Sequence, residues 1–181
     1  GALRADGPAG LLPHVAVLTR AVNELCVTRR SGGVPFPPGG ECWRGTGFDE
    51  AHRGFFAPGT SYRAPMFVAT SFQRDVAQDF MERAWEGSGG WSKACVLWLV
   101  KVDPRGEKER AYRVKHANLV TKQAPGLPDE VEYLFAPYSA FKVVEAVWSA
   151  TPNYRTPHRI TLQAYTDNMD APKGLPLAPW C

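Results

Sequence analysis

The sequence predicts an α+β domain built as a helix-flanked antiparallel β-sandwich. Short apolar runs of strand length outnumber helical stripes, and the two do not alternate in the way a doubly wound parallel sheet requires. The 181 residues, 44% hydrophobic and 22% charged, are enough to bury one sizeable core and fit a single domain.

In chain order, Leu11, Val15, Leu18, Val22 and Leu25 recur at spacings of four and three, which puts them on one face of an N-terminal helix. Residues 31–40, rich in Gly and Pro, predict a loop. Strand-length runs follow at 41–46, 64–71, 94–103, 131–136, 141–149 and 158–166. A helix over 73–86 is predicted by the stripe Val76, Ala77, Phe80, Met81 and Ala84, and Thr70-x-x-Gln73 offers a capping box at its start. Residues 1–181 thus divide into a helix and loop (1–40), a core (41–166) and a C-terminal tail (167–181). There is no internal repeat.

The net charge of +3 is spread without a basic block, so no nucleic-acid partner is expected. No apolar run approaches a membrane span, and the run at 94–100 is strand-sized, so the domain reads as soluble. Its opening, Gly1-Ala2-Leu3-Arg4, lacks the tripartite build of a signal peptide and leaves the compartment open. Cys26, Cys42, Cys95 and Cys181 show no C-x-x-C spacing, which argues against structural zinc or a dithiol redox site. Both two disulfides and four free thiols fit, depending on that compartment. His14, His52, His116 and His158 share no ligand spacing, read as structural or surface residues, and leave no metal expected. Neither a G-x-G-x-x-G nor a G-x-x-x-x-G-K-[ST] loop occurs, so any nucleotide must be held in another way.

Three segments carry chemistry. Glu130-Val131-Glu132 opens a predicted strand, where a side-chain period of two turns both carboxylates to one face, with Cα atoms only ~7 Å apart. Like charges that close raise one pKa unless a cation or substrate offsets them. Cys42-Trp43-Arg44-Gly45-Thr46-Gly47 sets an arginine in a strand beside glycine, with Trp43 read as core. Met66-Phe67-Val68-Ala69-Thr70-Ser71-Phe72 is a strand ending in hydroxyls where a helix begins. Taken singly, the glutamates read as a solvated strand end and Arg44 as a surface residue.

Together and in that order, an arginine strand, a hydroxyl strand and an E-x-E strand resemble the R-S-E class of mono-ADP-ribosyltransferases, which includes cholera-toxin-like toxins and vertebrate arginine-specific ectoenzymes. The resemblance covers roughly 41–148. It implies an ADP-ribosyltransferase-like fold, NAD as substrate, no metal, and a partner protein that presents an arginine. Under it, Arg44 holds the NAD pyrophosphate bidentately, and Gly45 lets backbone approach the nicotinamide carboxamide. Glu132 is the catalytic carboxylate beneath the ribosyl cation, and Glu130 orients the target arginine and accepts its proton. The chain has Ala69-Thr70-Ser71 where the class has Ser-Thr-Ser, so Ser71, on the same strand face as Ala69, is the candidate substitute. Thr70 fits both the NAD site and a helix cap. Phe80-x-x-Arg83 falls where the class carries an aromatic for nicotinamide and a second phosphate-binding arginine, although Phe80 also lies on the core stripe. Two further readings stay open: an NAD glycohydrolase using the same site, and an inert NAD-binding or interaction module, which Ala69 keeps in play.

Overall fold

A computed structural model describes residues 36–87, 94–120 and 130–179, together with Val17 and Ala21. The chain divides into two compact units, Gly1–Pro35 and Phe36–Cys181. In the first, Val17 and Ala21 are helical and exposed, while the stripe from Leu11 to Leu25, Cys26 and residues 31–35 of the predicted loop lie outside the described residues. Everything below concerns the second unit.

Its strands are β1 (Glu41–Phe48), β2 (Ser61–Arg63), β3 (Val68–Ser71), β4 (Ala94–Lys101), β5 (Ala117–Val120), β6 (Glu132–Phe135), β7 (Ala140–Val147) and β8 (His158–Ala164). One helix, α1 (Arg74–Gly87), follows β3. Every run predicted as a strand overlaps one. β2 and β5 were not predicted, because three and four residues are too few for alternation to stand out. The run predicted at 64–71 is a strand only from Val68, since Ala64 and its neighbours turn the chain instead.

The strands pair in the order β2-β7-β8-β4-β1-β3-β6-β5, antiparallel throughout the described residues except β4 with β8. β4 is central, and Cys95, Val96, Leu97, Trp98 and Val100 bury both of its faces, as a strand covered on two sides must. β6 and β7 lie five steps apart in that order, about 24 Å if the sheet were flat. Only the turn after Phe135 separates them, and five residues reach at most about 17 Å. The sheet therefore folds over, and the rings of Phe135 and Phe141 meet with centroids 5.2 Å apart. This is the sandwich predicted by strands that do not alternate regularly with helices. Its fold line falls between β1 and β3, which share one pair, Trp43↔Ser71.

Cys42 and Cys95 are buried free thiols, and burial pushes the Cys42 thiol up to about 12. His158 is structural, as predicted: its Nδ1 accepts the Ser149 N–H at 2.9 Å, and its Nε2 lies 2.6 Å from a Glu50 carboxylate oxygen. The tail pairs with the edge of the sheet, where Ala178 N–H donates to the Arg63 carbonyl at 2.8 Å and Arg63 N–H to that of Pro176 at 2.9 Å.

Helix α1 buries Ala77 and Met81 against β1. The approach is close because Gly45 has no side chain: a Cβ there would overlap the Ala77 carbonyl oxygen and come within 2.9 Å of Met81 Cβ. Backbone atoms of a helix cannot step aside as a flexible side-chain end can. Gly45→Ala should therefore destabilise the domain by about 1–3 kcal/mol, as overpacking does. Urea unfolding of the two proteins checks this, and an unchanged midpoint would show that α1 does not rest on Gly45.

Candidate active site

Where β1 and β3 splay apart after their single pair, a cavity of about 210 Å³ opens, lined by Arg44, Gly45, Ala69, Ser71, Glu130 and Glu132 among others. Arg44 comes from β1, the hydroxyl segment from β3, Glu132 from the start of β6 and Glu130 from the residues that lead into it. The segments singled out in the sequence thus meet at one place.

Arg44 Nη1 donates to the Ala69 carbonyl at 2.8 Å, tying the splayed strands together. Its other guanidinium N–H groups have no protein acceptor among the described residues. Burial lowers the Arg44 pKa and the negative charge of Glu132 works against that shift, but a guanidinium stays charged at any ordinary pH.

Strand alternation predicts both carboxylates on one regular strand, and the structure departs from this. β6 begins at Glu132, and Val131 before it has φ of +43°, a left-handed conformation in which a β-branched side chain is strained. Neighbours hold it there: Ser71 Oγ donates to the Glu130 carbonyl at 2.6 Å, and Phe72 N–H donates to the Val131 carbonyl at 3.3 Å. Both glutamates nonetheless border the cavity. Residues 120–129, with Pro125-Gly126-Leu127-Pro128, read in the sequence as a loop overhanging the pair; Val120 instead ends β5, and 121–129 lie outside the described residues.

Ser71 pairs with Glu132 across the β3–β6 ladder, but its hydroxyl grips main chain: it donates to Glu130 O and accepts the Gln73 N–H at 3.0 Å. Thr70 is not the helix cap. Strand β3 runs on through Ser71, α1 starts only at Arg74, and the buried Thr70 hydroxyl donates to the Tyr133 carbonyl at 2.6 Å. Gly45 borders the cavity, although its missing side chain makes room for α1.

Phe80 leaves the core stripe, being 44% exposed and on the cavity wall, while Ala77 and Met81 do the packing. Arg83 stacks over the Phe80 ring at 4.6 Å and donates to the Asp79 carbonyl at 3.3 Å, and it does not line the cavity. Trp43, read as core, is only partly buried and lines the cavity, with the Arg74 guanidinium 5.2 Å from its ring centroid. Arg74 carried no sequence signal beyond its place at the start of a helix. Among the described residues no group of three or more His, Cys, Asp or Glu could hold a metal ion, and no helix is long and apolar enough to cross a membrane.

Desolvation raises the Glu132 pKa, Glu130 raises it further, and Arg44 opposes both. A raised pKa means the folded protein holds this proton more tightly than the unfolded chain, so stability falls as pH rises through the folded pKa. Glu130→Gln should lower the Glu132 midpoint and Arg44→Gln should raise it. Carboxyl NMR titration of Glu132 measures both, and midpoints unmoved in the two variants would uncouple the three groups.

The fold, though not the site, has a counterpart among solved structures. The ADP-ribosyltransferase Vis of Vibrio splendidus, solved with an inhibitor, superposes with a TM-score of 0.51 at 19% identity, over 70% of this chain and 48% of that one. The catalytic domain of VsdC from Aeromonas hydrophila gives 0.49 at 17% identity over 87% and 75%, and the ADP-ribosyltransferase HopU1 of Pseudomonas syringae pv. tomato 0.45 at 20% over 70% and 44%. The chain has the ADP-ribosyltransferase fold, and the match spans about half the length of Vis. No protein-family profile and no curated protein sequence matches it.

Proposed function

We propose that the chain transfers ADP-ribose from NAD to an arginine side chain of a partner protein, releasing nicotinamide, with side chains rather than a metal stabilising the transition state. The observation that carries this reading is the convergence of Arg44, Ser71, Glu130 and Glu132 from three strand segments on one cavity.

At about 210 Å³ the cavity is smaller than a pocket that encloses a drug-sized ligand, so it suits one end of a dinucleotide and not the whole. The nicotinamide end enters, with the exposed Phe80 ring at the wall as a stacking surface. The free N–H groups of Arg44 suit the pyrophosphate, which a guanidinium fork can bind bidentately without a glycine-rich loop. Cleavage of the nicotinamide–ribose bond builds positive charge on the ribose, as glycoside cleavage does. Glu132, once ionised, stabilises that charge in a partly desolvated site where its field is strong. The attacking guanidinium must shed a proton, and Glu130 is the second carboxylate on hand to take it. Ser71 contributes by fixing the main chain at Glu130.

Nicotinamide release measured with and without free arginine separates the open readings. A transferase forms an adduct, a glycohydrolase ignores the acceptor, and an inert module releases nothing. Glu132→Gln should reduce both NAD cleavage and transfer by about 100-fold or more, as losses of transition-state electrostatics do. Glu130→Gln should leave cleavage largely intact while transfer collapses, because water needs less help to attack than a guanidinium. Equal loss of both activities in Glu130→Gln would remove its separate role.

Arg44→Lys should weaken NAD binding by about 1–3 kcal/mol, since an ammonium cannot reproduce the fork. Calorimetric titration with NAD tests this, and equal affinities would take Arg44 out of the site.

A further inference from the structure

Trp43 borders the cavity, yet no step of the proposed reaction uses it. Strand alternation sets it on the same face of β1 as Gly45, the face on which α1 is seated, and there it is only half-buried. Its place in the sheet is fixed by the ladders. Trp43 stands opposite Ser71, and Ser71 opposite Glu132, so the three form one row across β1, β3 and β6. Directly opposed residues share a face of a sheet, and two strand spacings put the Cα atoms of Trp43 and Glu132 about 10 Å apart. The Ser71 hydroxyl also holds the Glu130 carbonyl at 2.6 Å, which ties the segment carrying the second carboxylate to the rung on which Trp43 sits.

The other aromatic wall, Phe80, lies elsewhere in the cavity. The start of α1 is marked by Arg74, whose guanidinium is 5.2 Å from the Trp43 ring centroid, and Phe80 follows six residues, or about 9 Å, further along the helix. Arg74 shows what the indole face accepts. It is itself exposed and does not line the cavity, so the cavity side of the ring stays open. Tryptophan attracts cations best among the aromatics, and a planar guanidinium stacks on it as an ammonium does not.

Resting on the transfer to arginine proposed above, we propose that Trp43 is the platform for the acceptor: the guanidinium of the incoming arginine lies against the cavity side of the indole, between it and the Glu130 carboxylate. Each substrate then has its own ring, Phe80 for the nicotinamide and Trp43 for the acceptor. The arginine arrives protonated, is held as a flat cation, and gives its proton to Glu130 only as the new bond forms. A neutral side chain gains little from the ring and a lysine lacks the flat face, so the platform selects guanidinium acceptors.

The test is steady-state kinetics with free arginine as acceptor at saturating NAD, and with NAD varied at fixed arginine. Trp43→Leu keeps an apolar side chain without a ring, and should raise the KM for arginine by about 2- to 30-fold, the span of one cation–π contact, with kcat little changed. Fluorinated tryptophans placed at position 43 keep the shape and draw charge from the ring face, so they avoid a folding defect. The KM for arginine should climb with each added fluorine, which loss of packing would not produce. An arginine KM that stays flat across the fluorine series, or in Trp43→Leu, overturns the proposal and leaves the proposed function standing. So does a KM for NAD that climbs in step with it or in its place, since the ring would then serve the dinucleotide. If the unaltered chain forms no arginine adduct, the transferase reading fails and the platform fails with it.

Discussion

The site depends on an interrupted ladder. β1 and β3 pair at Trp43↔Ser71 and go no further, so the backbone groups beyond that pair need other partners. One is supplied by Arg44, whose guanidinium takes the Ala69 carbonyl near where the next rung of the ladder would fall. The same side chain closes the fold line of the sandwich and places a fixed positive charge inside the cleft that the fold line opens. On the other side of β1 the full ladder with β4 keeps the strand from following β3. Gly45 lets α1 press onto the strand from above, which roofs the cleft.

Charge then follows from geometry. Two carboxylates and one guanidinium share a partly desolvated cavity, and Glu132 is shifted upward first by desolvation and then by the like charge of Glu130. Arg44 offsets only some of it. A cationic reaction centre between carboxylate and guanidinium would relieve the rest, which is why the arrangement fits a reaction that develops positive charge better than one that develops negative charge.

Much of this was legible in the sequence, for physical reasons that differ by element. The long strands announced themselves through burial: β8 alternates His158, Ile160, Leu162 and Ala164 inward, and β4 reads as a continuous apolar run. The helix was visible through Ala77 and Met81, and its limits moved by a single residue at each end. What stayed hidden was set by tertiary contact. Thr70 looked like a cap because S/T-x-x-Q is a local pattern, but the ladder with β6 claims its hydroxyl. Phe80 fell on the apolar stripe, yet the close seat of α1 on Gly45 turns it toward the cavity. Trp43 and Arg74 carry no local signal of meeting. The equal spacing of Glu130 and Glu132 suggested one regular strand, and no composition rule foretells that Val131 turns left-handed.

That left-handed residue separates the two carboxylates mechanically. Glu132 is fixed by ladder pairing with Ser71, whereas Glu130 hangs from a carbonyl and a hydroxyl just outside the sheet. A change at Glu130 therefore leaves the register of β6 untouched, while a change in the ladder at Glu132 is felt along the whole strand. Under the proposed chemistry, the choice of acceptor sits on a part of the chain that evolution can exchange freely, and the cutting of the bond sits on a part that it cannot.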